Sequence, residues 1–149
     1  MAEPVSSRNF VQVAIVVRDV EKASAAWARV LGVEKPSWHL TDGVDKSHGV
    51  YRGKPLPGRA KLAFFDTGAC RLELIEPVEG DSVWKEHLDA KGEGVQHLAL
   101  FVKDTEREER VLAEHGYPTV QKGDYSGGRY TYVDATKDLG VVLEFLQNT

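Results

Sequence analysis

Cysteine is almost absent from this chain of 149 residues, where Cys70 stands alone. No intrachain disulfide can form, and a thiolate zinc cluster is excluded, so any metal must be held by nitrogen and oxygen. Long apolar runs are missing as well. No stretch approaches the roughly 20 residues of a membrane span, and the opening Met1-Ala2-Glu3-Pro4-Val5-Ser6-Ser7-Arg8 has no apolar core of the kind a secretory leader carries. A reducing cytoplasm is the expected location. Positive charge is not in surplus either. A formal net charge of −4 offers no bulk attraction for nucleic acid or anionic lipid, which leaves small molecules as the expected partners. What remains is ordinary for a globular domain, with 42% hydrophobic and 28% charged residues. The length suits one domain spanning 1–149, or two small fused repeats that share a core.

The repeat is written in the sequence. Val11-Gln12-Val13-Ala14-Ile15-Val16-Val17-Arg18-Asp19 and Gln96-His97-Leu98-Ala99-Leu100-Phe101-Val102-Lys103-Asp104 are both apolar strands interrupted by one polar side chain that can bind metal. Each runs into an aspartate placed to cap a helix, and each helix is followed by a glycine placed to end it. The spacing repeats: Gln12 and His97 stand 85 positions apart, Asp19 and Asp104 also 85, and Gly32 and Gly116 84. In the first helix Val20, Ala23, Ala26, Trp27, Val30 and Leu31 recur at helical spacing as an apolar face; in the second, Val111 and Leu112 do so. Residues up to about Arg8 are polar and expected to be mobile.

Gly32 to Lys46 reads as a loop, followed by strands near 50–53, 61–65 and 70–75. The second half repeats this with strands near 119–122, 129–133 and 141–146. Each half is therefore strand, helix, strand, strand, strand: one module over about 9–78, a connecting helix and linker over 79–94, and a second module over about 95–149. The connecting helix is expected over Asp81 to Leu88, begun by Asp81 or Ser82.

A second matched pair lies downstream, Leu72-Glu73-Leu74-Ile75 and Leu143-Glu144-Phe145-Leu146. Alternate side chains of a strand share a face, so Gln12 points with Ala14 and Val16, and His97 with Ala99 and Phe101. Glu73 and Glu144 enter a common interior if the halves pair. Burying two unpaired carboxylates costs several kcal/mol each. A divalent cation would neutralise both, with the Gln12 carbonyl and a His97 ring nitrogen completing four protein ligands. Each residue also has a plainer reading. A lone histidine on an apolar strand is more often a hydrogen-bonded core residue; Glu73 can pair with Arg71 or Lys61; Glu144 can face solvent from a terminal strand. Recurrence of all four at equivalent places favours one shared site. His39, His48, His87 and His115 lack such context and read as surface residues.

These residues resemble the vicinal oxygen chelate superfamily, which includes glyoxalase I, methylmalonyl-CoA epimerase, extradiol dioxygenases, fosfomycin-resistance enzymes and bleomycin-binding proteins. The likeness runs from about Phe10 to Gln147, through "VRDVEKA", "LELIEP", "GEGVQHLAL" and "LGVVLEFL". It implies an α+β fold in which two βαβββ modules pair into a partly open mixed-sheet barrel around one divalent ion (zinc, nickel, cobalt or manganese). The family's ligands fall on Gln12, Glu73, His97 and Glu144. Extradiol and fosfomycin enzymes use two histidines and one glutamate, so oxygen chemistry is disfavoured here. The set looks like that of glyoxalase I, while the linker and the ending "TKDLGVVLEF" look nearest to the methylmalonyl-CoA epimerase-like branch. One departure stands out: where that epimerase carries a catalytic glutamate before the third strand, this chain has Leu56-Pro57-Gly58-Arg59.

The resemblance implies a metal-dependent lyase or isomerase that removes a proton beside a carbonyl and stabilises the enolate, with Glu144 or Glu73 as the base. A homodimer is expected. Trp38, Tyr51, Tyr130 and Tyr132 are candidates to line the substrate pocket, with Arg129 among the basic residues able to grip a carboxylate or phosphate. Core and dimer contacts account for the aromatics equally well. If they line a pocket, a hydrophobic or aromatic carbonyl compound fits better than a highly charged thioester. The competing class is a non-catalytic small-molecule-binding protein of the bleomycin-resistance type, which generally lacks such a quartet. A third reading, an iron redox enzyme, would require metal-dependent oxygen consumption.

Overall fold

A computed structural model describes residues 2–149. In chain order its elements are β1 (Phe10–Val16), α1 (Val20–Leu31), β2 (His39–Leu40), α2 (Val44–Ser47), β3 (Val50–Tyr51), β4 (Lys54–Pro55), β5 (Arg59–Asp66), β6 (Arg71–Glu79), α3 (Val83–Lys91), β7 (Gly94–Phe101), α4 (Thr105–Glu114), β8 (Thr119–Tyr125), β9 (Gly128–Asp134), α5 (Thr136–Leu139) and β10 (Val142–Asn148). The strands form one curled, open sheet in the order β2-β5-β6-β1-β7-β10-β9-β8-β3-β4. This is the expected α+β half-barrel. Its two halves run β1-β6-β5-β2 and β7-β10-β9-β8, the same internal order, and join where β1 meets β7 antiparallel. Among the described residues no helix is long and apolar enough to cross a membrane.

The caps act as the sequence predicts. Asp19 accepts from Lys22 N, and Asp104 from Glu106 N and Arg107 N, so each half starts its helix with an acceptor for orphan amide donors. Gly32 ends α1 in the left-handed region at φ 68°. Ser82, not Asp81, caps α3. Behind the sheet, α1 covers Leu72, Leu74, Ala63 and Phe65, while α4 covers Leu143, Phe145, Leu100 and Val133. Both faces of β6 and β10 are therefore covered. On the concave side lies a third core that includes Ala14, Val16, Ile75, Trp84, Tyr132 and Val142.

Four expectations are corrected. The second strand of the first half is β2, inside the segment read as a loop; the 50–53 stretch instead forms the β3–β4 hairpin, which crosses to pair with β8 of the other half. Its two-residue turn places both Arg52 (φ 49°) and Gly53 (φ 81°) at positive φ, the geometry that suits hairpin twist. Arg52 is held there by the hydrogen bond its backbone N–H donates to Val120 O (3.0 Å) and by its guanidinium on Glu86. On α1, Val30 (79% exposed) and Leu31 (42%) lie outside the buried face, which uses Val20, Ser24 and Ala28. Phe101 is likewise exposed, at the end of its strand. The segment before Phe10 is tied down: Ser6 bonds buried Glu108, Glu3 pairs with Arg107 (2.9 Å), and Val5 packs on the α4 core.

Two alanines position the site. Ala14 stands opposite both Glu73 on β6 and His97 on β7, and Ala99 stands opposite both Gln12 on β1 and Glu144 on β10. Both have no exposed surface. Their small side chains leave space in which four long ones can meet over the sheet. Ala99→Leu should destabilise the fold by about 1–3 kcal/mol through overpacking, read by urea denaturation, whereas Val95→Ala at an exposed place on the same strand should stay within about 0.5 kcal/mol.

Candidate metal and substrate site

Gln12, Glu73, His97 and Glu144 come from β1, β6, β7 and β10, the four neighbouring strands at the centre of the sheet. The structure brings all four together. Gln12 Nε2 donates to Glu73 Oε1 (3.2 Å) and to Glu144 Oε1 (3.1 Å), and His97 Nε2 lies 3.4 Å from Glu73 Oε1 and 3.2 Å from Glu144 Oε1. None is more than 5% exposed, and His97 is fully buried. The plainer readings thus fare unequally. Glu144 does not face solvent, and Glu73 pairs with His97 rather than with Lys61, whose partner is Glu76 (3.9 Å).

A residue that strand alternation hides completes the arrangement. Opposite Ala14 and Ile15 the register of β7 jumps from His97 to Val95, so Gln96 is an extra residue in a bulge. The bulge buries Gln96 and His97 together, and Gln96 Oε1 lies 3.0 Å from His97 Nδ1. Gln96 Nε2 donates to Val83 O (2.9 Å), which turns the amide oxygen toward the imidazole and makes Nδ1 the donor. Gln121 accepts from Val83 N (3.0 Å), so the first residue of α3 is clamped on both sides. Fixing Nδ1–H leaves Nε2 of the neutral ring free to accept or ligate, the orienting role that outer residues play around bound metals. Only the unusual "QH" pair inside an apolar strand signals this in the sequence.

A cavity of about 430 Å³ opens above the quartet, walled by Phe64, Leu56, Leu62, Trp84, Tyr130 and Tyr132 together with Arg71, Asp42 and Asp124. Gln12, Glu73 and Glu144 face it directly. Of the expected substrate residues, Tyr130 and Tyr132 line it; Trp38, Tyr51 and Arg129 stand outside its wall. Trp38 lies beneath Lys61 Nζ (4.4 Å), Tyr51 hydrogen-bonds Glu86 (2.8 Å), and Arg129 lines a second cavity of about 250 Å³. The histidines read as surface residues divide too: His39, exposed, stacks on Phe64 (5.9 Å) at the large cavity's edge, while His87 is only half exposed.

Electrostatics follow from burial. Desolvation raises the Glu73 carboxyl above its ordinary range, with His97 opposing and Glu144 adding to the rise. For His97 burial works against the cation, yet Glu144 and Glu73 outweigh it and push the imidazole up to about 9. Tyr132 and Tyr130 are raised by burial and stay protonated at neutral pH. Without a metal the imidazolium offsets one carboxylate, and burial favours the proton on Glu73.

It is not a finished metal cage. Among the described residues no three His, Cys, Asp or Glu side chains are arranged as one, and Gln12 turns inward the amide nitrogen, which cannot bind a cation. Two features nevertheless fit a divalent ion. His97 Nε2 is buried with no hydrogen-bond partner, although both carboxylates lie within ion-pair range. The 3.2–3.4 Å spacings also match the edge of a tetrahedron whose bonds are about 2.0–2.1 Å long.

Comparison with known proteins agrees with this architecture. The model of a family described as Glyoxalase/Bleomycin resistance protein/Dioxygenase superfamily matches residues 11–133. An uncharacterised protein of Bacillus subtilis (strain 168), YqjC, is 25% identical over 92 residues, covering 60% of this chain and 66% of its own length. Methylmalonyl-CoA epimerase from Mycobacterium tuberculosis superposes with a TM-score of 0.66 at 22% identity, over 99% of this chain and 93% of that one. A hypothetical protein from Bacillus halodurans C-125 gives 0.65 at 20% identity, over 94% of each chain. The Streptomyces coelicolor methylmalonyl-CoA epimerase with 2-nitronate-propionyl-CoA gives 0.64 at 19% identity, over 97% and 99%. These structures share the fold, and the family match over most of the chain is decisive: this protein belongs to the Glyoxalase/Bleomycin resistance protein/Dioxygenase superfamily.

Proposed function

We propose that this chain is a divalent-metal-dependent lyase or isomerase that removes a proton beside a carbonyl group of a small molecule. The observation that carries the reading is the convergence of Gln12, Glu73, His97 and Glu144 from four adjacent strands at the floor of one cavity. These four would hold the ion, with the Gln12 amide turned so that its oxygen faces inward. When bound, a divalent ion supplies Lewis-acid stabilisation for negative charge developing on a substrate oxygen.

The chain's own groups do the rest. Glu144 or Glu73 takes the proton, since both face the cavity, and burial favours the protonated form of Glu73. Tyr132 accepts from Trp84 Nε1 (3.1 Å) and Tyr130 from Gln121 Nε2 (3.1 Å), leaving each phenolic O–H to donate to a substrate oxygen. The apolar and aromatic walls favour a hydrophobic or aromatic carbonyl compound and exclude bulk water. Leu56, buried at the cavity wall, supplies no carboxylate. Proton removal and return are assigned to the Glu73–Glu144 pair on the cavity floor, beside the would-be metal ligands, and not to Asp42 or Asp124 on its wall.

The second reading, a non-catalytic ligand-binding protein, is favoured by one feature, the ion pairs that His97 makes with Glu73 and Glu144 in the metal-free cluster. Metal analysis of protein purified without added metal separates the two. About one divalent ion per chain, lost in Glu73→Ala, supports catalysis; no ion, with carbonyl compounds still bound, supports binding alone. Deuterium exchange into candidate carbonyl compounds, followed by NMR, then tests the shared proton-removal step. Glu144→Gln should lower that exchange by about 10²–10⁴-fold while substrate affinity stays within a few fold; unchanged exchange would rule out Glu144 as the base. Metal uptake should also depend on pH with a definite sign. His97, held near 9 in the metal-free protein, must lose its proton to bind. Zinc affinity should therefore rise about tenfold per pH unit from 6 to 8 and level off above about 9, with about one proton released per ion. A flat calorimetric profile would contradict His97 as a ligand.

A further inference from the structure

Of the basic side chains on the strands around the site, four do not line its cavity. Arg59 donates to Thr41 O (2.9 and 2.8 Å), Lys61 faces Glu76 and the Trp38 ring, Lys122 pairs with Glu109 (3.3 Å), and Arg129 belongs to the other cavity. Arg71 differs. Among the described residues it is the only lysine or arginine lining the large cavity, and it has no carboxylate within ion-pair distance. Its guanidinium lies over the Phe64 ring (4.5 Å), and one terminal nitrogen donates to Gln12 Oε1 (3.1 Å).

That last bond couples Arg71 to the quartet. A primary amide has one accepting end and one donating end. Here Gln12 gives its donating end to the two carboxylates and its accepting end to Arg71. To serve as a metal ligand the amide must turn over, a rotation about a broad, roughly two-fold torsion. Its NH₂ group then faces the guanidinium, donor against donor. Arg71 loses its acceptor and is left directed at the cavity.

We propose that Arg71 is the anion-binding residue of this site and that Gln12 switches it, blocking it in the metal-free protein and releasing it when a metal is held. The proposal rests on the metal reading above and narrows the substrate to a carbonyl compound bearing one carboxylate. A single guanidinium meets one such group bidentately. Asp42 and Asp124 on the same wall, with Glu73 and Glu144 below, repel a multiply charged phosphate. By reciprocity the carboxylate also tightens metal binding.

Zinc and phenylacetate serve as probes in calorimetric titrations of the wild type, Arg71→Met and Arg71→Lys. Loaded wild type should bind phenylacetate at least about tenfold more tightly than loaded Arg71→Met, the worth of a charge-assisted hydrogen bond, with Arg71→Lys between them. The metal-free wild type and Arg71→Met should agree within about threefold. Without phenylacetate, Arg71→Met should bind zinc about 3–10-fold more tightly, because the bond holding Gln12 in its metal-refusing orientation is gone. Equal phenylacetate affinity in the loaded wild type and Arg71→Met overturns the anion role alone. An equal loss in the metal-free and loaded forms overturns the switch. Failure of the wild type to take up zinc overturns the metal reading and this proposal with it.

Discussion

Two buried carboxylates facing one imidazole on the floor of the half-barrel set the terms for the rest of the molecule. Glu73 and Glu144 are each no more than 5% exposed, and each lies within 3.4 Å of His97 Nε2. Such a cluster survives only if its charges cancel and its polar atoms are oriented. The surroundings do both. Ala14 and Ala99 make room, Gln12 bridges the carboxylates, and Gln96 holds the imidazole by its other nitrogen.

The duplication explains why the centre of the sheet, and not an edge, carries the buried polar quartet. Each half contributes its first strand and its last, and these are neighbours within the half; antiparallel pairing of the two first strands then brings four polar positions together. The symmetry is broken at the quartet itself. The first half places Gln12 where the second places His97, and only β7 carries the bulge that turns Gln96 onto the ring. The β3–β4 hairpin crosses to the far half, and the residues just before and after it, Ser47 and Leu56, help close one side of the cavity. The roof of the site is thus asymmetric although its floor is nearly two-fold.

The polar inventory of the cavity is divided by role. Its acids lie deep or on one flank, its one arginine sits at the rim against Gln12, and its phenols are fastened by Trp84 and Gln121. α3 carries Trp84, and its first peptide unit is held by Gln96 and Gln121, so one short helix orients both the imidazole and the aromatic wall. Displacing that helix would disturb binding and the cluster together.

Much of this was legible in the residues. The repeat, the aspartate caps, the glycine stops and the choice of Gln12, Glu73, His97 and Glu144 follow from periodicity and from the cost of burying charge, both local properties of a strand or helix. So did the pocket-facing pair Tyr130 and Tyr132, which share a strand face. Residues whose places depend on distant chain were not legible. β2 is two residues long and exists only because β5 offers it an edge; the hairpin at 50–55 joins β8 through its own turn; Gln96 faces inward only because β1 forces a bulge. Trp38, Tyr51 and Arg129 carry the right chemistry but lie outside the cavity wall, and composition says nothing of where a side chain is carried by the sheet's curl. Sequence alone determined which groups are paired across the duplication, because identical patterns fold alike. Only the tertiary structure decided what each of them faces, because register, bulges and the crossing hairpin are set by contacts between segments far apart in the chain.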